Sequence, residues 1–436
     1  MKSLKKLFPT LLFSLFFTGT LQISALSLTD ISGTIGQAFS DFYSDNEGTT
    51  SFHSLLIPIG GRAESLGSSY IGLSDDTSYI NYNPAAACII KETQMGVFHN
   101  AWIADSMMET IAYTTRFRNF GFGTQVSCFY VPFTEYNLLG ERTAGGYYSE
   151  TTLALNGAYN FIAGYDFKGL ATGVSIKTSW RSVPDFTDND TNAIITGSGL
   201  SQSSLGIMAD LGLMLQFNFL KYFASRDPNV KIGFTIQNLG LAITGFGDEI
   251  QIDDPLPTYI AAGMSVKFLP VITATIDIKQ PINLFDITKS GLFSAGVGAD
   301  IQFTDAFSLL AGFELKGGNP KLSAGAEFEL NTTRFNFNYT LDLTSSASPV
   351  NRISMSARIM LGDRGRKEEM NKIDDIYKNG LKAYYEGRWQ DAINFWQIIL
   401  TNYNKRYDPA IAGIASAQSQ LDMLKRAHES MYFDEE

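Results

Sequence analysis

From about residue 93 to residue 361 the chain repeats one plan: stretches of about 9–15 residues alternate apolar and polar side chains, with turn residues between them. Alternation with period two places successive side chains on opposite faces of a strand. Between Arg334 and Thr344, Phe335, Phe337, Tyr339, Leu341 and Leu343 share one face. Arg334, Asn336, Asn338, Thr340 and Asp342 share the other. Phe293, Ala295, Val297, Ala299, Ile301 and Phe303 alternate in the same way with Ser294, Gly296, Gly298, Asp300 and Gln302. Odd positions from Leu205 to Phe219, and Ile353, Met355, Ala357, Ile359 and Leu361 against Arg352, Ser354, Ser356 and Arg358, repeat the pattern.

A soluble antiparallel sheet also alternates, so a secreted β-sandwich is the competing reading. Three features favour a membrane barrel. The strands are longer than the roughly 5–6 residues usual in globular proteins. Their polar face is Gly, Ser, Asn and Gln with scattered charges, as a wet lumen requires. The connections alternate in length. Those after about 117, 163, 268, 304 and 331 are short, and those near 133–146, 182–203, 239–257 and 280–290 are longer. The fold expected is all-β, a transmembrane antiparallel barrel of about 14 strands over residues 93–361, followed by a small α-helical region. A lumen of that width needs a plug or conducts water.

Composition agrees with this reading. Charged residues are 18% of the 436, aromatics 13%, and glycines number 39. Few charges with many aromatics suit a surface facing outer-membrane lipid, with aromatic girdles at its edges. The net charge of -11 argues against nucleic acid, which needs a concentrated basic surface.

The N-terminus reads as an export signal over residues 1–25. Lys2, Lys5 and Lys6 precede an apolar run from Leu7 to Leu21, and Ile23-Ser24-Ala25 supplies a small-residue cleavage site. The run is shorter than the roughly 20 residues of a spanning helix. No later segment is a continuous apolar run of that length, so a spanning structure here must be a closed barrel. Cys88 and Cys128 are the two cysteines, either a pair or two small buried side chains.

Residues 26–92 do not alternate. Leu28 to Phe42 reads as a short helix capped near Asp30. Gly61-Arg62-Ala63, then Asp75-Asp76, then Asn83-Pro84-Ala85 follow in order. Proline fixes φ and lacks an N–H, and an asparagine before it bonds nearby backbone, so Asn83-Pro84 is a turn in its own right. Asp75 and Asp76 read as loop carboxylates bonding plug backbone or an arginine of the wall.

This ordered set resembles the N-terminal region of the FadL-type outer-membrane transporters of long-chain fatty acids and other hydrophobic compounds. The match covers about thirty residues, with the strand pattern continuing it over the barrel. The resemblance implies a hatch over residues 26–92 that plugs a 14-stranded barrel. It also implies that Gly61, Arg62, Ala63, Asp75, Asp76, Asn83, Pro84 and Ala85 serve the hatch or its ligand, and that an apolar molecule such as a fatty acid enters from outside. It extends to the FadL-like proteins of spirochaetes, which end in a comparable helical tail. It extends also to PorV-type barrels, which anchor a partner and do not carry lipid.

After Leu361 the pattern changes. A charged linker, Asp363 to Glu369, leads into a period near 3.6 over residues 369–386, then 389–403, then beyond Pro409. Residues 362–436 resemble a tetratricopeptide repeat, with Gly380, Tyr384, Gly387, Trp389, Ala392 and Ile393 at its small and aromatic positions and Trp396 where a smaller aromatic is usual. A generic helical hairpin is the alternative. Tyr384, Trp389 and Trp396 are the side chains expected to meet a periplasmic protein partner. An even strand count with the N-terminus inside places this tail in the periplasm.

Nothing points to an enzyme. His53, His99 and His428 are far apart and lack metal-ligand spacing. No nucleophile elbow or phosphate loop occurs, and no cofactor is implied. The lumen-facing charges Lys177, Arg181, Asp277, Lys279, Asp300, Glu314, Glu327, Arg334, Asp342, Arg352 and Arg358 are expected to pair across the interior or hold the plug. His99 and Trp102, at a strand end, suit a membrane interface.

Overall fold

A computed structural model describes residues 46 and 48–433, apart from 104, 137–138, 165–166, 189–190, 192, 247–248, 317–318 and 344–349. The expected export signal and the Leu28–Phe42 helix lie outside the described residues. Fourteen strands carry the fold: β1 Gln94–Ala101, β2 Met107–Phe117, β3 Phe120–Tyr136, β4 Arg142–Phe161, β5 Leu170–Ser182, β6 Ser204–Phe217 and β7 Val230–Thr244. They continue as β8 Thr258–Leu269, β9 Ile272–Ile282, β10 Ser294–Thr304, β11 Phe307–Lys316, β12 Asn319–Leu330, β13 Thr333–Asp342 and β14 Val350–Met360.

Each strand pairs antiparallel with its neighbours in sequence. The last strand pairs with the first, from Gln94 opposite Met360 to Ala101 opposite Ile353. The sheet therefore closes into a 14-stranded up-and-down barrel with no free edge. A two-residue strand, Gln251–Ile252, pairs with the C-terminal end of β7. At one end of the barrel, residues 118–119, 270–271, 305–306 and 331–332 make tight turns; the other end carries the long connections 183–203, 245–257 and 283–293.

The connection expected at 133–146 is mostly strand, because Phe133 to Tyr136 of β3 pair with Gly146 to Arg142 of β4. The alternation of connection lengths predicts a longer loop there. Here Gly146 instead lies beneath the Phe133 ring, whose nearest atoms would be 3.2 Å from an added Cβ, so the aromatic covers backbone that glycine leaves bare.

Burial along the strands is the reverse of that in a water-soluble sheet. Large apolar side chains point outward and stay exposed, with Ile111 at 53%, Ile176 at 63%, Ile276 at 43% and Phe337 at 46%. Their polar neighbours point inward and are buried, Asn336 and Ser175 completely. Aromatics gather toward both ends of this apolar wall. Phe117, Phe120, Phe161, Phe268, Phe303 and Phe307 lie near the tight turns, and Tyr136, Tyr147, Trp180 and Phe186 near the long loops. An apolar band between two aromatic girdles is what a bilayer selects.

Beyond the barrel stand three helices: α1 Arg366–Tyr385, α2 Trp389–Asn402 and α3 Asp408–Phe433. They share a core of Ala383, Ala392, Ile393, Trp396, Ile399, Tyr407, Ala410 and Ala417. Asp363 starts the first helix by accepting the amides of Lys367 (2.7 Å) and Gly365 (3.0 Å). Those amides hold its carboxyl below the usual range.

Candidate functional site: a lumen threaded by its own chain

Residues 46–93 run through the barrel from the long-loop end to the tight-turn end. At the start, Asn46 Nδ2 donates to the carbonyls of Thr288 and Ser290, 3.2 Å each, and the Ser51 amide donates to the carbonyl of Pro255 (3.0 Å). At mid-depth the amides of Tyr70 and Ile71 donate to Asp277 Oδ2 on β9 at 2.6 and 2.7 Å. At the far end the Thr93 amide donates to the carbonyl of Gly362 (2.8 Å), and β1 begins.

The segment has little regular structure. Short helical turns at His53–Leu56, Arg62–Ser65, Thr77–Asn81 and Pro84–Cys88 pair part of its backbone and leave other carbonyls to the wall. A buried backbone polar group left unpaired is costly, and the inward side chains of the wall supply the partners. Lys279 Nζ donates to the carbonyl of Ser68, Lys231 Nζ to that of Leu73, and Asn156 Nδ2 to that of Pro84, at 3.0, 3.0 and 3.1 Å. Asn100 Nδ2 donates to the carbonyl of Pro58 at 2.7 Å.

The wall lets the segment come close by omitting side chains. A Cβ built at Gly312 would lie 2.0 Å from the Gly67 nitrogen, and Gly67 itself needs a positive φ of 63°. Gly121 and Gly173 similarly face the backbone of Ala87 and Pro84 at 2.1 and 2.3 Å from an added Cβ. The inward glycines, expected to line a wet lumen, instead receive the plug.

The residues singled out by sequence fall in this segment, as its anchors. Arg62 Nη1 pairs with both oxygens of Asp75 at 2.7 Å, and Arg62 Nη2 reaches Asp300 on β10 at 2.5 Å. The Tyr70 hydroxyl donates to Asp75 Oδ1 at 2.7 Å. Asp76 caps the next turn through the Ser78 amide (2.9 Å) and pairs with Arg358 of β14 at 2.9 Å; Arg358 also pairs with Glu327 of β12. Asn83 caps the third turn by accepting the Ala85 amide (3.1 Å), and its Nδ2 donates to the carbonyls of Ile71 and Leu213, 3.2 and 3.0 Å. Gly61, Ala63, Pro84 and Ala85 are buried against the wall. Lumen charges that do not hold the plug pair with each other, as Lys177 does with Asp210 (2.8 Å) and Lys321 with Glu314 (3.7 Å).

Above the anchored part, at the long-loop end, lies a cavity of about 170 Å³. Apolar side chains from distant places converge on it: Leu55, Leu56 and Ile57 of the plug, Trp102, Met108 and Ile282. Lys279, Lys316, Lys321 and Glu150 stand among them. None of the eight residues expected at the hatch lines this cavity. The apolar residues that do line it are spread over more than two hundred positions and carry no local signal. Trp102, expected at the lipid interface, turns inward: two residues beyond Asn100, it stays on the lumen face, and the Arg352 guanidinium stacks 4.1 Å over its ring.

In the tail, Trp396 is 1% exposed. It is clamped between Gly380 and Gly413, whose added Cβ atoms would lie 2.4 and 2.8 Å from its ring, and its indole N–H donates to the carbonyl of Tyr377 (3.3 Å). Tyr384 and Trp389 pack partly buried against the same core, so Trp396 holds the tail together and presents nothing at its surface. Cys88 and Cys128 are both free. Among the described residues, no group of three or more His, Cys, Asp and Glu side chains is placed to hold a metal ion.

Two proteins of Treponema pallidum (strain Nichols), each described as a UPF0164 protein, are 26% and 24% identical over 388 residues. The matches cover 87% and 86% of this chain and 85% and 76% of theirs. Similar solved structures include the toluene transporter TbuX of Ralstonia pickettii (13% identity, TM-score 0.45, covering 69% of this chain and 98% of that one). The toluene transporter TodX of Pseudomonas putida is another (12% identity, TM-score 0.43, covering 68% and 96%). Residues 30–364 match the uncharacterised protein family UPF0164, and the chain belongs to that family.

Proposed function

We propose that the protein is an outer-membrane channel of the FadL type, taking up hydrophobic molecules through its plugged lumen. The observation that carries this reading is the combination of an apolar outer wall with a lumen occupied by a hydrogen-bonded plug. The wall suits lipid. At plug depth the lumen is filled by buried side chains of plug and wall, such as Tyr70, Ile71, Tyr79 and Asn336, which disfavours a general polar pore. Above the plug, the cavity supplies an apolar surface with Lys279, Lys316, Lys321 and Glu150 among its lining, as a site for apolar or amphiphilic molecules requires.

Size refines the reading. A cavity of about 170 Å³ is close to the ~150 Å³ engineered cavity that accepts benzene and below the ~300–1,000 Å³ of typical ligand pockets. It takes a small apolar compound whole, or one end of a long-chain fatty acid with the remainder in the mouth. Passage beyond it then requires the plug to rearrange. The reading places the long loops outside and the tight turns and tail in the periplasm, with residues 1–25 removed as a signal.

The test is uptake by cells that carry this chain in the outer membrane and lack a hydrophobic-compound channel of their own. Wild-type chain is expected to raise uptake of labelled oleate or toluene. Asn83→Ala, which loses the ties to Ile71 and Leu213, is expected to change that rate while the barrel stays folded. Uptake no different from an unrelated barrel would refute the reading.

A second reading, a barrel that anchors a periplasmic partner as PorV-type proteins do, is favoured by one observation. The tail is an ordered module that keeps Tyr385, Met423 and Leu424 at least half exposed. It predicts that deleting residues 366–436 abolishes activity while retention of lipid persists.

A further inference from the structure

The plug leaves the lumen beside the point where the tail leaves the wall. The Thr93 amide donates to the carbonyl of Gly362, and the Leu361 amide to that of Thr93, both at 2.8 Å. Arg366 opens the first tail helix. Its guanidinium donates to the carbonyls of Lys91, at the plug exit, and of Arg116, at the end of β2 (3.3 Å for the latter). The Lys91 side chain is held as well, by Asp227 at 2.5 Å. Asp227 belongs to residues 218–229, the long connection on the tight-turn side, and its neighbour Arg226 pairs with Asp374 on the tail helix. The exit is therefore gripped at its main chain by Arg366 and at its side chain through a connection that the same helix holds.

We propose that the tail is a brake on the plug: helix α1 pins the plug exit through Arg366 and through the Asp374–Arg226 pair, and withdrawing the helix frees the segment around residues 89–93. The surface ion pairs alone supply little energy. The weight falls on Arg366, whose charge-assisted bonds to main-chain oxygens are the stronger kind. The grip depends only on how plug and tail are placed, whatever the barrel carries.

Amide hydrogen exchange on the full chain in detergent tests it. The amides of Ile89, Ile90 and Thr93 are hydrogen-bonded, to Ala86, Ala86 and Gly362, and report opening of the exit. Arg366→Gln is expected to speed their exchange at least about tenfold, given the worth of hydrogen bonds to a charged group. Asp374→Asn is expected to speed it less. Arg388→Gln, which breaks the pairs to Glu386 and Asp391 within the tail, is expected to leave it unchanged. Unchanged exchange at these amides in Arg366→Gln, with Trp396 fluorescence intact, overturns the proposal. If Arg366→Gln does not fold, Asp374→Asn decides: no acceleration at the exit then overturns it equally.

Discussion

Replacing Arg358 with methionine isolates the plug's ionic latch. Arg358 is 1% exposed and stands between Asp76 of the plug and Glu327 of the wall. Methionine keeps most of the volume and removes the charge, so two carboxylates remain in the lumen without their cation. Leaving a buried charge uncompensated costs about 3–5 kcal/mol. At about 1.4 kcal/mol per factor of ten, the population with residues 76–83 released rises by roughly two to nearly four powers of ten. The Asp76–Arg358 pair joins plug to wall, whereas the wall's own ladders are untouched, so opening is local. Hydrogen exchange reads it at Tyr79 and Asn83, whose amides donate to Asp76 and Tyr79 carbonyls at 3.1 and 2.7 Å. The barrel is checked by retention of its compact form on unheated gels. The triple variant Arg358→Met, Asp76→Asn, Glu327→Gln removes all three charges and is expected to recover most of the protection, since neutral groups are cheap to leave together. Exchange at these amides accelerated less than about tenfold in Arg358→Met would refute the latch.

Other consequences follow from the same contacts. Gly312→Val places a side chain where the Gly67 backbone lies; the plug is expected not to seat, and planar-bilayer recordings of the folded variant should show ion conductance absent from wild type. A silent variant would contradict the close approach. Asn83→Ala removes three hydrogen bonds and is expected to weaken the plug by about 2–4 kcal/mol, at about 1 kcal/mol each. Limited proteolysis should then cut within residues 71–90 while the barrel survives. Trp396→Ala empties the tail core and should cost about 3–5 kcal/mol, seen as lost helical circular dichroism with the β signal retained.

The barrel was legible because its rule is local. Each strand repeats an apolar-out, polar-in alternation, and nothing but its own residues is needed to see it, as between Arg334 and Asp342. The plug was legible only as a set of short motifs. Asn83-Pro84 announces a capped turn, but nothing near it shows that Asn83 Nδ2 reaches Leu213. The wall glycines were visible and misread, because a glycine facing water and a glycine receiving a backbone look the same without the third dimension. Gly312 matters for where Gly67 lies, far away in sequence. The cavity left no trace for the same reason. Leu55, Met108 and Ile282 are ordinary apolar residues until the closed sheet brings them together. Trp396 stands where the repeat usually has a smaller aromatic, and its sequence neighbours do not show the slot that Gly380 and Gly413 open to bury it.

The proposed function requires apolar molecules to occupy this lumen. It is tested most directly by mass spectrometry of organic extracts from protein purified from membranes in mild detergent, beside an unrelated 14-stranded barrel handled identically. A fatty acid or similar apolar molecule is expected to be enriched with the wild-type chain, with less of it when Leu56→Asp places a charge in the cavity. Extracts indistinguishable from the control barrel would contradict it.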